Sequence, residues 1–163
     1  MSTTTGRVSP SAMPVMPASM TNTPTQPFSA QTANPQAADP ASDRPLIYVN
    51  GQMLPKSKAM VSVYDHGLLY GDGVFEGIRV YKGKIFKSAQ HMDRLWRSAE
   101  SIRLTIPVSR EEMVDIQRRC IEANNISDGY IRLVVTRGFG TLGLDPRRCP
   151  VPGIVCIADQ IAL

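Results

Sequence analysis

The chain has 163 residues, a net charge of +4 and 20% charged residues, and no apolar run approaches the roughly 20 residues that a membrane helix needs. Basic and acidic residues are interspersed, which argues against a nucleic-acid surface and leaves room for a basic pocket that binds a small anion. Three cysteines without a CxxC pair give poor support for a metal site or a disulfide framework. We therefore expect a cytoplasmic protein with reduced thiols and no metal, membrane or nucleic-acid partner.

Residues 1–45 differ in composition from the rest of the chain. They hold 8 of the 13 prolines, only four charged residues, and no apolar stretch of the kind found in secretory signals. Such a segment cannot bury enough surface to offset its conformational entropy. We predict a disordered extension over residues 1–45 and a folded domain over residues 46–163.

The folded part opens with a predicted hairpin. Leu46–Val49 is rich in β-forming residues, Asn50-Gly51 is a strong two-residue turn signal, and Gln52–Pro55 forms the returning strand. Met60–Val63 is a further short strand candidate. Three glycines in the next ten residues, 64–73, predict an irregular turn.

A second predicted hairpin joins Val74–Tyr81 to Lys84–Phe86 through a tight turn. Val74, Ile78 and Val80 lie on one face of its first strand, and the other face carries an aromatic residue, a glycine and an arginine: Phe75, Gly77 and Arg79. This second set does not resemble a core, and its glycine would let a ligand or another backbone approach closely.

Two amphipathic helices follow. The first is predicted from Ser88, as its cap, to about Leu104, and the second starts at a capping box formed by Ser109 and Glu112. Apolar residues recur at helical spacing in both: Met92, Leu95, Ala99 and Ile102 in the first, and Met113, Ile116 and Cys120 in the second.

The chain continues with a predicted strand, Tyr130–Arg137, a long loop, and a last strand, Gly153–Ala158. The loop begins with a GxGxxG match at residues 138–143, but the prolines after it prevent a helix from starting, so we reject a dinucleotide site. Strands followed by two helices and more strands predict an α+β fold, with a largely antiparallel sheet and two helices on one side.

The two longer strands could together form a pocket for a small anion. The second strand places Tyr130, Arg132 and Thr136 on one face, so each strand offers an aromatic ring and an arginine. A solvated sheet face is the alternative. Arg94 on the first helix suits a phosphate, because guanidinium binds phosphate in a bidentate way, although it could be an ordinary exposed arginine.

Four motifs resemble those of the class IV (fold-type IV) pyridoxal-phosphate aminotransferases, in the family's order and spacing: residues 65–79, 91–95, 130–132 and 143–147. The resemblance implies that residues 46–163 are the family's N-terminal small domain and the start of its interdomain linker. Phe75 and Gly77 are similar to the branched-chain members, since D-amino-acid aminotransferases typically carry Tyr at the first position and lack glycine at the second.

The resemblance also implies roles for individual residues. Arg94 would contact the phosphate of the cofactor, pyridoxal 5'-phosphate. The residues implied to bind substrate are Tyr70, Phe75, Gly77, Arg79, Tyr130, Arg132 and Leu144. Of these, Tyr70 and Leu144 would act across a dimer interface, Arg132 would meet the distal carboxylate of glutamate, and Arg79 would brace the region.

The implied activity is transamination of Leu, Ile or Val with 2-oxoglutarate or glutamate by a homodimer or larger oligomer. The family's Schiff-base lysine lies in a larger second domain, beyond Leu163, so we expect no catalytic residue in this chain and no activity from it alone. The alternatives are a D-amino-acid aminotransferase, an aminodeoxychorismate lyase of the same fold, and a non-catalytic dimerisation or binding module.

Overall fold

The computed structural model describes residues 43–160, so the predicted extension lies almost entirely outside the described residues. Its last residues, however, contact the domain. The Asp43 carboxylate accepts a hydrogen bond of 2.9 Å from the backbone N–H of Ser57. The guanidinium of Arg44 donates to the carbonyl of Ala123. The part of the chain attached to the domain therefore starts no later than Asp43.

Six strands and three α-helices make up the described domain. The strands are β1 (Leu46–Val49), β2 (Gln52–Pro55), β3 (Gly73–Tyr81), β4 (Lys84–Ile85), β5 (Gly129–Thr136) and β6 (Gly153–Asp159). The α-helices are α1 (His66–Tyr70), α2 (Ser88–Ser101) and α3 (Arg110–Ala123), and short 3₁₀ turns occupy Lys56–Lys58 and Pro146–Arg148. Within residues 43–160, no helix is long and apolar enough to cross a membrane.

The six strands form a single sheet in the order β2-β1-β6-β5-β3-β4, and every neighbouring pair is antiparallel. The last strand lies between β1 and β5, so the core of the sheet joins distant parts of the sequence. In the register of β3 and β5, Gly77 lies opposite Arg132 and Arg79 lies opposite Tyr130. The predicted α+β class and the predominantly antiparallel sheet are confirmed.

Helices α2 and α3 cover one face of the sheet. Alternate residues of the strands point towards the helices, and the buried core they share includes Val74, Ile78, Ile131, Leu133, Cys156, Met92, Leu95, Met113, Ile116 and Cys120. Both predicted helical stripes are confirmed except at Ile102, which is 37% exposed. That residue ends α2, and Leu104 takes its place in the core.

The segment before β3 differs from the predictions. Met60–Val63 forms no strand and is exposed; near it, Asp65 makes only an isolated bridge to Phe139. The segment pairs with neither of the two edge strands, β2 and β4. The predicted irregular turn contains the helix α1, because the Asp65 carboxylate accepts from the backbone N–H of Gly67 at 2.7 Å.

Helix α1 ends at Gly71, whose φ of 68° is the left-handed conformation that glycine adopts readily at a helix end. The start of α2 also differs from the prediction. Lys87, with a φ of 47°, occupies the capping position and gives no side-chain cap, while Ser88 is the first helical residue. The predicted cap of α3 is confirmed, since Ser109 Oγ accepts from the backbone N–H of Glu112 at 3.1 Å.

Candidate active site

The face of β3 and β5 turned away from the helices carries a stack of three side chains. The guanidinium carbon of Arg132 lies 4.7 Å from the ring centroid of Phe75 and 5.4 Å from that of Tyr130. Both distances are within the range of cation–π attraction, so one cation contacts two rings. We call Phe75, Gly77, Tyr130 and Arg132 the open-face cluster. The predicted shared face is confirmed.

Gly77 is the position that makes this cluster fit together. A Cβ atom built on Gly77 would lie 1.9 Å from the Tyr130 hydroxyl oxygen and 2.8 Å from its Cζ. Any side chain at this position would therefore occupy the space of the Tyr130 ring. The prediction was that a ligand or another backbone would approach Gly77, but within this chain the group that approaches is the side chain of Tyr130.

Two arginines on this face have no acidic partner among residues 43–160. Arg79 lies on the same face as Gly77, and its guanidinium carbon is 5.3 Å from the Tyr81 ring. The Nε of Arg79 is buried and has no hydrogen-bond partner within the described residues. Neither Arg79 nor Arg132 occurs among the ion pairs of that part of the chain. A face with two unneutralised guanidinium groups suits an anionic substrate.

Arg94 lies on the opposite side of β3, where α2 packs. Its Nε donates to Glu76 Oε1 at 2.7 Å and its Nη2 donates to Glu76 Oε2 at 2.6 Å. The Arg94 side chain is 61% exposed, whereas that of Glu76 is only 3% exposed. The guanidinium therefore has one edge fixed on a buried carboxylate while much of it stays open to solvent. That exposed edge could receive a phosphate.

A histidine completes the environment of Glu76. His91 Nδ1 is 2.9 Å from Glu76 Oε2, and because a carboxylate only accepts, this nitrogen carries a proton. Burial raises the pKa of Glu76, but hydrogen bonds from Arg94 and His91 and their charges outweigh it, so the pKa lies below 4.5. The pKa of Arg94 is raised by the same hydrogen bond. Glu76 is therefore a carboxylate at neutral pH.

Tyr70 and Leu144 lie apart from the open-face cluster. The Tyr70 hydroxyl donates to the carbonyl of Leu142, and His66 Nε2 is 2.7 Å from the carbonyl of Thr141. These two bonds attach α1 to the loop that carries Leu144, which is 75% exposed. Among the described residues, neither Tyr70 nor Leu144 makes a hydrogen bond or ring contact with the open-face cluster. Within one chain, the structure does not bring together all the predicted site residues.

The loop after Leu144 is shaped by one ion pair. Asp145 accepts from the backbone N–H of Arg147 at 3.0 Å and from the Arg147 Nε at 2.9 Å. The hydrogen bond from the Arg147 side chain is the main reason why the pKa of Asp145 is lowered to about 2. This pair caps the 3₁₀ turn and fixes the loop just beyond Leu144.

Glu76 was not predicted as a site residue from the sequence. A signal was available, because alternation places Glu76 on the same face of β3 as Val74 and Ile78, which are core residues. A charge on a core face requires a cationic partner. The sequence alone did not show that the partners are His91 and Arg94, which lie 15 and 18 residues further along the chain.

Two further kinds of group, a buried lysine and a metal-binding cluster, are absent from residues 43–160. All five lysines are exposed, as expected from their polar turn and strand-end settings: Lys56, Lys58, Lys82, Lys84 and Lys87. Within residues 43–160, no three His, Cys, Asp or Glu side chains are grouped so that they could hold a metal ion.

Comparison with known proteins identifies the family. The family model for Amino-transferase class IV matches residues 73–162, more than half of the chain. A protein of Methanocaldococcus jannaschii provisionally named a branched-chain-amino-acid aminotransferase is 57% identical over 112 residues, covering 69% of this chain and 39% of that protein. The D-alanine aminotransferase of Staphylococcus haemolyticus is 39% identical over 92 residues, covering 56% of this chain and 33% of its own length.

Solved structures give the same result. The branched-chain amino acid aminotransferase from Escherichia coli superimposes with a TM-score of 0.67 and 33% identity, covering 71% of this chain and 41% of that one. The T.th. branched-chain amino acid aminotransferase in complex with N-(5'-phosphopyridoxyl)-L-glutamate superimposes with a TM-score of 0.67 and 32% identity, covering 71% of this chain and 40% of that one. The T.th. enzyme has also been solved with 4-methylvaleric acid and with pyridoxamine 5'-phosphate.

The fold and the matched region together define a class IV aminotransferase domain, and the chain belongs to that family. Enzymes of this family are transferases that use pyridoxal 5'-phosphate. The chain spans about 40% of the length of the branched-chain aminotransferases it matches.

Proposed function

We propose that this chain supplies the substrate-facing side of a branched-chain-amino-acid aminotransferase. In this proposal the enzyme transfers the amino group of Leu, Ile or Val to 2-oxoglutarate. The observation that carries the proposal is the open-face cluster, in which Arg132 contacts the rings of Phe75 and Tyr130 and the Tyr130 hydroxyl lies over Gly77. The identity to the branched-chain relative, 57% compared with 39% for a D-alanine aminotransferase, supports the same choice.

The open-face cluster suits both substrates of such a reaction. The rings of Phe75 and Tyr130 form an apolar surface against which an aliphatic side chain can lie, and that contact buries the side chain away from water. The guanidinium of Arg132 can bind the distal carboxylate of glutamate in a bidentate way. Arg79, on the same face, would brace this region. One surface can then accept leucine in one half-reaction and glutamate in the other.

The proposed cofactor is pyridoxal 5'-phosphate, which when bound acts as an electron sink for charge at the substrate α-carbon. The exposed edge of the Arg94 guanidinium is the group in this chain that would hold the phosphate. We propose, from the family resemblance, that the lysine required for the chemistry is supplied from beyond Leu163. All lysines of the described region are exposed, and none lies in the apolar pocket that suits a Schiff-base lysine.

Tyr70 and Leu144 fit the proposal only if a second copy of the chain participates. Both are exposed, and so are other apolar residues of α1 and of the loop between β5 and β6: Leu68, Phe139, Leu142 and Val151. Exposed apolar residues in such numbers typically mark an interface. We therefore propose a homodimer in which each chain presents Tyr70 and Leu144 to the site of its partner, and a cytoplasmic location.

This function can be tested by measuring turnover. The protein to use is the one encoded by the complete reading frame that contains residues 1–163. With added pyridoxal phosphate and 2-oxoglutarate, we expect kcat/KM for L-leucine to exceed that for D-alanine by at least about a hundredfold, a difference of about 2.7 kcal/mol in transition-state binding. Faster turnover of D-alanine would favour the D-amino-acid alternative. The 163-residue chain alone should show no turnover with either substrate.

A further inference from the structure

The pairing of Glu76 with Arg94 has a function beyond holding α2 on the sheet. Glu76 lies on the core face of β3, so its carboxylate is fixed by the backbone of the longest strand. Arg94 has a long, flexible side chain that is 61% exposed. An exposed arginine of this kind normally samples many rotamers, and fixing it on binding a ligand costs free energy.

The contacts of Glu76 remove most of that freedom before any ligand arrives. Oε1 accepts from Arg94 Nε at 2.7 Å, and Oε2 accepts from Arg94 Nη2 at 2.6 Å and from His91 Nδ1 at 2.9 Å. Two parallel hydrogen bonds fix the guanidinium plane as well as its position. They use two of its five N–H donors, and the donors on the side away from Glu76 remain available.

We propose that Glu76 is a positioning residue for a phosphate site, with Arg94 as the group that contacts the phosphate and His91 as the second donor that fixes the Glu76 carboxylate. This inference rests on the proposed function, in which Arg94 holds the phosphate of the cofactor. Glu76 itself lies behind the guanidinium and touches neither cofactor nor substrate.

Glu76 is expected to affect the strength of phosphate binding in two opposite ways. A fixed guanidinium loses less entropy when it binds, which strengthens phosphate binding. A carboxylate near the phosphate repels it, which weakens binding. Glu76→Gln removes both effects together and is a poor test by itself. Glu76→Asp keeps the charge but shortens the side chain by one methylene, so the carboxylate no longer reaches both nitrogens of Arg94.

The test is an NMR titration of the ¹⁵N-labelled 163-residue chain with inorganic phosphate, with sodium chloride added to keep the ionic strength constant. Before phosphate is added, we expect the Arg94 Nε–H to give a single signal that is protected from exchange with water. Phosphate should then shift this signal. In Glu76→Asp the signal should be exchange-broadened, and phosphate should bind about fivefold more weakly, the size expected for ordering one long side chain on binding.

Control variants separate the possible outcomes. Glu100→Gln changes an exposed acid on the same helix and should leave binding within about twofold of wild type. Arg94→Gln should abolish the phosphate-induced shifts around residue 94. An averaged, unprotected Arg94 Nε–H in the phosphate-free wild type would overturn the proposal without any variant. Equal phosphate affinity of wild type and Glu76→Asp would overturn the positioning role and leave the phosphate contact intact.

One outcome of the phosphate titration would also contradict part of the proposed function. If the Arg94 signal is protected but phosphate causes no shift there in the wild type, Arg94 is not a phosphate contact, and both the assignment of Arg94 and the positioning role of Glu76 are wrong. The turnover of L-leucine by the complete protein would remain a separate result, so the two failures can be told apart.

Discussion

Gly77→Ala is the substitution that probes the open-face cluster most directly. The added methyl carbon would lie 1.9 Å from the Tyr130 hydroxyl oxygen, 2.8 Å from Cζ and 3.2 Å from Cε2. Carbon and oxygen atoms pack at roughly 3.4 Å or more, so the hydroxyl end of the ring must move by about 1.5 Å. Because Arg132 lies against the same ring, its guanidinium should move as well.

The effects of this substitution on stability and on activity should differ sharply. The Tyr130 ring is only partly buried and can swing outwards, so the fold survives. Loss of the ring contact is offset by the lower entropy of an unfolded chain with alanine, and the unfolding free energy should change by less than about 1 kcal/mol. A displacement of about 1 Å at a substrate-positioning group typically lowers the rate about a hundredfold. We expect a loss of that order in kcat/KM for L-leucine.

The assay combines urea unfolding of the 163-residue chain with turnover by the complete protein. Gly143→Ala is the matched control, because a Cβ there meets only the Thr141 hydroxyl oxygen, at an ordinary 3.5 Å. It should leave the unfolding free energy near wild type. A folded Gly77→Ala variant that keeps kcat/KM for L-leucine within about threefold of wild type would refute the role given to Gly77 and Tyr130.

The remaining charged groups of the domain can be tested one by one. Arg132→Gln should raise KM for 2-oxoglutarate about 10- to 100-fold in the complete protein, as expected for loss of a charged hydrogen bond, and change KM for L-leucine less than threefold. Arg137→Ala should lower the unfolding free energy by about 3 kcal/mol in urea titrations, because Arg137 is largely buried, pairs with Asp72 through two hydrogen bonds and donates to the carbonyls of Ile102 and Arg103. The lowered pKa of Glu76 means that its stabilisation is fully present above pH 4.5 and is lost as the pH falls through the folded-state pKa; unfolding of Glu76→Gln measured between pH 3 and 6 should therefore depend on pH less steeply than that of wild type. The Asp145 carboxyl should titrate near pH 2 by NMR, and Arg147→Gln should return its pKa towards 3.8.

Alternation of residue types predicted the two faces of β3 and β5 correctly. Burial of one face favours apolar residues at every second position, which Val74, Ile78 and Ile131 satisfy, while Glu76 is the exception. The same rule predicted the residues of the open face, because they occupy the alternate positions of the two strands. The two helices were equally predictable, because spacing of apolar residues and the Ser109 cap are both local features.

Features that depend on distant partners could not be predicted in this way. The sequence does not show that β6 lies between β1 and β5, or that Met60–Val63 pairs with no strand of the sheet. The helix α1 was missed although Asp65 and Gly71 are ordinary start and stop signals, because closely spaced glycines favour an irregular turn over a helix. Glu76 was missed because its two partners come from another element.

In the proposed enzyme, the face of β3 and β5 opposite the helices contacts the substrate side chain. A crystal structure of the complete protein with 4-methylvalerate, the compound found in one of the related structures, would show this contact. We expect the branched end of 4-methylvalerate to lie against the rings of Phe75 and Tyr130, within about 4.5 Å of both. Binding of the branched end elsewhere, with both rings free of contact, would contradict it.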